Sequence, residues 1–573
     1  MRRVLAALFF ALALVPTTPA LRAAVVTTSA IAGIVRSANA PAAGVTVTVT
    51  SKALQHERTT TTNAHGRYWL GALPPGVYDV TFAKTGLVTL TRRTTVELAR
   101  VARADATLTP GEEGESVTST AVTVGVADTQ PITTHFSDLA LDRLPVRRDP
   151  PSVEAIAPDP LPSFYSTVDD GLLYNATLIG EESIEQVTVL RGALPIEYGR
   201  ATGSSVAALT RSGSENLFLS IRDTITSENW IGGSTGGGGL EHRFEVAAGD
   251  HLLPERLWFF AAGWGGDRAD VAIRDEKGYE LKLSGQLGAR QNVVATAIHG
   301  EGNLSGGSRA DEGQLSANYI AVPDPRLTIQ TFVQRQILDG QGYDGAFGEA
   351  SYAAGDHVLR GGVDAMRHAS STAWFAADRW SRNRFTIDAG VRSDDDDVST
   401  RLFASYDFFG DGRRAVVASY RHDPSNQETT LGFATALGAA GSARIDAIHR
   451  DFDGVDANAV EFDMNYRLFD RIEAGANYAF ADTDPEYPLF APRHLAHAWL
   501  GAALPIGEQE IGVTVLERYG DLAVIAHAPL ATDLALRYIV PIKAVHLTAA
   551  ADATNVFASR GPRALRAWLR VRL

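Results

Sequence analysis

From Asn216 to the C-terminus the chain alternates apolar and polar residues in strand-length runs. In "RFTIDAGVRS", Phe385, Ile387, Ala389 and Val391 share one face, and Arg384, Thr386, Asp388 and Arg392 the other. "VEFDMNYRL" sets Val460, Phe462, Met464, Tyr466 and Leu468 against Glu461, Asp463, Asn465 and Arg467. "RIEAGANYAF" puts Ile472, Ala474, Ala476, Tyr478 and Phe480 on one side, and the closing "LRAWLRVRL" does so with Leu565, Ala567, Leu569, Val571 and Leu573. Period two means strands with unlike faces. The polar face of a soluble sandwich would not carry paired charges over so many strands, whereas a barrel that is apolar outside and charged inside accounts for both faces. Tight connections such as "PDP" (323–325), "SRN" (381–383), "GDG" (410–412), "FD" (469–470) and "PIGE" (505–508) alternate with longer polar ones at Thr226–Gly238, Gly266–Gly278, Asn303–Gly313 and Ala481–Arg493. This is the rhythm of outer-membrane barrels, whose periplasmic turns are short. Residues 216–573 accommodate about 22 strands at about 16 residues per strand and link. An even number brings both barrel ends to the periplasm.

Upstream the pattern changes. Ile31 to Leu108 holds short alternating runs, Val45, Val47 and Val49 among threonines and Tyr78, Val80 and Phe82 among polar residues, split by turns at Asn63–Gly66 and Pro74–Gly76. This predicts a small Ig-like β-sandwich over residues 25–110. Thr109 to Thr134 begins acidic and Gly-rich, as a linker would, and ends in an extended run. At the N-terminus, Arg2 and Arg3 precede the apolar run Val4–Val15, Pro16 and small residues to Ala24. That layout predicts a secretory signal peptide over residues 1–24, since the run is too short to span a bilayer.

The chain has 573 residues, a formal net charge of −15 and no cysteine. The acidic balance argues against a nucleic-acid partner, and the lack of cysteine excludes disulfides and thiolate sites. No catalytic constellation emerges, so no enzyme activity, metal or cofactor is expected. "DDDD" (Asp394–Asp397) lacks the spaced ligands and glycine of a calcium loop and reads as an acidic hairpin. "GGSTGGGG" (Gly232–Gly239) lacks the Lys-Ser/Thr of a phosphate loop. His494 and His497 fall on opposite faces of a strand and make poor co-ligands.

The segment "VLRGALPIEYGRATG" (Val189–Gly203) is apolar, glycine-rich and charged at once. A barrel of this width needs a plug, and a plug lodged against a charged wall is where such a segment fits. The glycines permit close approach, and Arg191 and Arg200 are suited to pair with inward-facing barrel acids.

At this point the sequence resembles a family. "SIEQVTVLRGALPIEYGRATGSSVAALTRSGSEN" is similar to the end of the plug domain of TonB-dependent outer-membrane receptors. The matching positions are Ile184, Glu185, Val187, Val189, Gly192, Glu197, Tyr198, Gly199, Arg200, Gly203, Thr210, Gly213 and Asn216. "LDRLPVRRD" (Leu141–Asp149) and "DDG" (Asp169–Gly171) resemble earlier plug motifs. "GDHLLPERLWFFAAGW" (Gly249–Trp264) resembles the Oar-like subgroup, and "APRHLAHAWL" (Ala491–Leu500) and "ATNVF" (Ala553–Phe557) late barrel strands. "TTNAHGRYWLGALPPGVYDV" resembles the carboxypeptidase regulatory-like (Cna-B-like) domain, which carries no catalytic zinc.

The resemblance implies an all-β chain with an N-terminal sandwich, a linker and plug over 111–215, and an outer-membrane barrel over 216–573. Its implied partners are TonB, outer-membrane lipid and an unknown extracellular ligand. TonB would pair by strand addition with Ser116–Val124, in which Ser116, Val117, Thr118, Val122, Thr123 and Val124 are the candidate contacts. The same segment also reads as the last strand of the sandwich. The plug is abbreviated, the loops are short, and the chain ends in Leu573 where the family ends in Phe or Trp. The alternative function is a structural or adhesive surface protein.

Overall fold

The computed structural model describes residues 29–573 apart from 39, 52–53, 55–56, 98–100, 112–115, 120–131, 158–165, 170, 174–177, 193, 200–204, 229–239, 269–272, 289, 305–307, 367–370, 395–396, 425, 439–440, 453–454, 469–470, 484–493, 521–529 and 558–562. The expected signal peptide, Arg200, Gly203 and Val122–Val124 lie outside the described residues.

A small sandwich comes first. One sheet joins β1 (Ser29–Ser37) to β2 (Ala40–Pro41) and to β5 (Arg67–Leu73), with β8 (Val101–Arg103) and β9 (Ala106–Leu108) also on β1. The other has the order β10 (Ser116–Ser119), β7 (Thr89–Val96), β6 (Gly76–Ala83), β3 (Thr46–Thr50), β4 (Arg58–Thr61). The alternating valines do what their period requires: Val45, Val47, Val49, Val80 and Phe82 face inward and are fully buried. The Tyr68 hydroxyl is satisfied in this core, donating to Ala104 O at 2.6 Å.

The next unit is a mixed sheet ordered β11 (Ile132–Phe136), β14 (Ile184–Arg191), β15 (Ser205–Thr210), β12 (Ser166–Val168), β13 (Gly171–Leu173). Two short helices pack on it, α1 (Asp138–Arg143), capped by Ser137, and α2 (Pro150–Glu154), capped by Asp149 with proline in its first turn. Both caps use a side-chain oxygen to satisfy an amide at a helix start.

Twenty-two antiparallel strands, from Phe218–Glu228 to Ala564–Arg572, then close into a barrel. The last strand pairs with the first, Ser220 opposite Arg572 and Glu228 opposite Ala564. Strand lengths run from 9 residues (Ala564–Arg572) to 16 (Ile273–Gly288), around the roughly 10 needed to cross a bilayer at a tilt. The alternation is realised as read: Leu281 and Leu283 are half exposed on the outside, while the alternating Glu280 and Lys282 are buried inside. The inner wall is not uniformly polar, however. Trp264, Ile298, Trp499 and Leu516 point inward and join the core of the five-stranded sheet. Phe332, Phe347 and Phe375 likewise close over Ile196. The wall is apolar at these patches, where it faces apolar side chains of the inner unit, because a buried leucine or isoleucine needs an apolar neighbour to gain the ~1.5–3 kcal/mol of its burial.

Candidate functional site

The candidate site is the seam between the inner unit and the barrel wall. Its densest part gathers near the end where the chain enters and leaves the barrel. Glu181 and Glu182 form the last tight turn before β14, where Ser183 N donates to Gly180 O at 3.1 Å. Gly180 lets that turn press on the wall, since a Cβ there would sit 2.7 Å from the Trp264 ring. Both glutamates are buried and face guanidinium groups carried on inward positions of the first and last strands. Glu181 lies 3.1 Å from Arg222 and 3.6 Å from Arg566. Glu182 lies 3.1 Å from Arg572 and accepts from Ser220 Oγ at 2.7 Å. Arg147, from the inner unit itself, adds a contact to Glu181 at 3.4 Å. Burial alone would raise the Glu181 carboxyl, but Arg222, Arg566, Arg147 and Arg243 together hold it well below its usual range.

Asp138 and Asp142 of α1 extend the cluster. Asp142 accepts a two-point contact from Arg570 and a further one from Arg148 at 2.8 Å. Asp138 pairs with Arg148 and Arg211. Trp568 stacks among three guanidiniums, Arg222 at 4.4 Å, Arg537 at 5.0 Å and Arg570 at 5.2 Å from its ring centre. Its ring face spreads cationic charge that carboxylates alone would have to balance. Deeper in the barrel, Lys282 reaches Asp169 at 3.0 Å and the carbonyl of Thr210 at 3.0 Å.

The sequence-predicted residues line the same seam further along. Arg191, at the end of β14, is buried and lies 3.4 Å from Glu461 and 3.7 Å from Asp463, with a hydrogen bond to Thr134 Oγ1 at 3.0 Å. Gly192 takes φ +76°, and Gly199 takes φ 61° with ψ −139°, a region only glycine occupies without strain. Between them a 3-10 turn, Ile196–Tyr198, buries all three side chains. Glu197 pairs with Arg360 of the wall. Burial pushes its carboxyl up, against the pull of Arg360. Arg401 clasps the two ends of the segment, donating to Leu194 O at 3.2 Å and to Gly199 O at 2.9 Å. Of the strand-addition candidates, Ser116–Ser119 form β10 and pair in parallel with Thr89–Arg92 of β7. Val117 is exposed on it.

Sequence reasoning missed the Glu181–Glu182 pair and the arginines that receive it. The signal was present: once Leu565, Leu569 and Val571 are read as outward, Arg566 and Arg570 become inward, and Arg572 follows.

Comparison with known proteins agrees with the fold. Residues 30–109 match the carboxypeptidase regulatory-like domain. The chain is similar to the TonB-dependent transporter Oar of Myxococcus xanthus, 28% identical over 266 residues, which are 39% of this chain and 25% of that protein. The chain therefore spans about a quarter of the length of the curated relative it matches. In fold it resembles BauA, the ferric preacinetobactin receptor from Acinetobacter baumannii, with a TM-score of 0.59 and 10% identity over 78% of this chain and 97% of that one. It also resembles Fiu, the ferric-catecholate import receptor from E. coli K12, with a TM-score of 0.60 and 10% identity over 78% and 97% of the two chains. The chain thus has the plugged 22-stranded barrel of TonB-dependent receptors, preceded by a regulatory-like sandwich.

Proposed function

We propose that the protein is an outer-membrane transporter that takes up an extracellular ligand at the expense of energy delivered by TonB. The observation that carries the reading is the seam itself. A folded plug sits inside a closed barrel on ion pairs and a few apolar patches, so it is held firmly yet can be shifted as a body. A solid apolar core would make a permanent stopper, whereas charged contacts exchange readily for water once the plug moves. The segment Ser116–Val124 is the proposed point of TonB contact, and a strand at a sheet edge is a natural substrate for strand addition.

A second reading, a structural or adhesive surface protein, draws on the far end of the barrel. There the strand Leu327–Leu338 turns into Gln341–Ala354 through Asp339 and Gly340 alone, which leaves little surface for selecting a large ligand.

The two readings part in cells. A photo-crosslinker placed along 116–124 should capture TonB, and a deletion strain screened against siderophore, saccharide and peptide ligands should lose uptake of one class. No TonB contact from any of these positions, with uptake intact for all classes, would favour the structural reading.

A further inference from the structure

The sandwich is fastened to three successive turns at the entry end of the barrel. Asn63 Nδ2 donates to Gly355 O at 2.7 Å, and His65 lies 3.1 Å from Asp356. Arg67 Nη2 donates to Asn383 O at 2.9 Å. Arg103 reaches Asp407 at 2.9 Å and Gly410 O at 3.0 Å. Asp407 also accepts from Gly410 N at 2.9 Å and Gly412 N at 2.7 Å. The carboxylate that shapes the third turn is thus the one that receives the sandwich.

Behind these contacts lie two cavities, each lined in part by charged side chains. The outer one, about 420 Å³, separates the sandwich from the turns. The inner one, about 80 Å³, is bounded by three different units at once: Trp69 and Gly71 of the sandwich, Glu197 of the plug, and Glu349, Ser351 and Arg360 of the barrel wall. Trp69 lines both cavities, and Arg379 of the wall lies 5.9 Å from its ring centre. The inner cavity thus lies beside the plug's 3-10 turn, against the wall from Leu327–Leu338 to Phe385–Asp394, and meets the Trp69 ring.

We propose that the sandwich is a removable stopper for this space. Docked, it closes the periplasmic side of a passage between plug and wall; undocked, it opens that passage to hydrophilic solutes. The solute class follows from the carboxylates, guanidiniums and hydroxyls in the lining, which would pair with a hydrophilic solute beside the Trp69 ring. The attachment suits removal, since the contacts described above are hydrogen bonds and the Arg103–Asp407 and His65–Asp356 pairs, set around a cavity of about 420 Å³. The stopper's role in uptake rests on the transport reading; its covering of the passage does not.

The chain has no cysteine, so Ser351→Cys supplies a single thiol inside the inner cavity. A sulfonated maleimide applied to the purified protein should label it slowly. Arg103→Glu, which sets two like charges together at Asp407, should raise the labelling rate by at least about tenfold, as when an open state rises from ~1% to ~10% of the population. A milder variant, Trp69→Ala with Asn63→Ala, should do the same and guards against misfolding of the first. Lys277→Ala, which breaks an exposed ion pair with Glu301 toward the opposite end of the barrel, should leave the rate unchanged. Fast labelling already in the Ser351→Cys parent would overturn the proposal. So would an unchanged rate in variants whose Asp407–Gly412 turn has gained hydrogen exchange. The assay needs neither TonB nor ligand, so a failed uptake screen alongside the expected labelling would sink the transport reading and leave the stopper standing.

Discussion

Arg570 holds Asp142 at two points, Nη1 2.6 Å from Oδ1 and Nη2 2.7 Å from Oδ2. The arginine belongs to the last barrel strand and the aspartate to helix α1 of the plug, so the pair ties the end of the chain to its interior. A planar guanidinium matched to a carboxylate in this way fixes orientation as well as distance. Asp142→Ala leaves Arg570 buried without this partner and removes one partner of Arg148, and is expected to weaken plug seating by about 3–5 kcal/mol. Calorimetry should show the loss in an early transition of the plug, with the barrel transition unmoved. Asp142→Asn keeps the shape and should cost less.

Arg191 makes the corresponding tie at the other side of the plug, between β14 and Glu461 and Asp463 of the wall. Arg191→Ala should leave the barrel inserted and SDS-resistant while loosening the plug locally, seen as leak of hydrophilic solutes in a planar bilayer. Arg191→Lys keeps the charge but loses the fork that spans two acids and Thr134, so its conductance should fall between the parent and the alanine variant. Equal, parent-like conductance in all three would remove Arg191 from the seam's anchors.

Gly199 combines φ 61° with ψ −139°, and an added Cβ would meet the Arg392 guanidinium at 3.3 Å. Gly199→Ala should therefore cost roughly 1–3 kcal/mol in plug stability through backbone strain. Gly438, with φ +64° and nothing within 4 Å of an added Cβ, is the control. Gly438→Ala meets no crowding and should cost less. Denaturant midpoints of the two variants give the comparison directly.

These residues also mark how far the sequence could be read. The barrel was legible because alternation is local: Val460 and Glu461 declare their faces wherever the strand sits. The plug motif was legible because Gly192, Glu197 and Gly199 combine residue types that few environments accept. The seam was only half legible. That Arg191 would face acids followed from burial and charge, but that they would be Glu461 and Asp463 depends on how the barrel closes, which no window of sequence contains. Sandwich docking was not legible at all, since Asn63, Arg67 and Arg103 are ordinary polar residues until three turns some 250 to 350 positions away come to meet them. Ser116–Ser119 fits a sheet edge in either of its sequence readings, and its pairing with β7 was a matter of tertiary partner, not propensity.

The plug should answer acid in two opposite ways. Burial alone would raise the Asp138 carboxyl, but Arg148 and Arg211 outweigh it and the opposing Asp142, and with Arg572 bring it from 3.8 to about 2. A carboxyl lowered on folding stabilises above its unfolded value and loses that contribution as pH falls through its folded one. Seating around α1 should thus persist to about pH 4 and fail as pH approaches 2. Glu197 is shifted the other way, raised above 4.5 chiefly by burial. Its contribution is complete below 4.5 and is lost as pH rises through the raised value, so the Leu194–Gly199 turn should tighten on mild acidification. Hydrogen exchange, corrected for its intrinsic pH dependence, should show slower exchange at 194–199 between pH 7 and pH 4.5 with α1 unchanged. It should then show faster exchange in α1 as pH falls from 4 toward 2. A uniform response of both regions would contradict the assignment of these groups.

The sharpest prediction concerns β10. In a parallel ladder each residue directs its N–H and C=O to one side, and the next residue directs its own to the other. Of Val117 and Thr118, which pair with Leu90 and Thr91, one therefore donates toward β7 and the other toward the open edge of the sheet. Proline removes a donor without adding one. If TonB adds to the open edge, only one of Val117→Pro and Thr118→Pro should abolish its crosslink to this segment. The other should release β10 from β7 and leave capture intact or raise it. If the segment must leave β7 and present both sides, both prolines should weaken capture. Val117→Ala and Thr118→Ala keep the donors and should be mild in either case. Capture equal to the parent in both proline variants would place the TonB contact elsewhere in the chain, and a scan from Val122 to Val124 would be the next place to look.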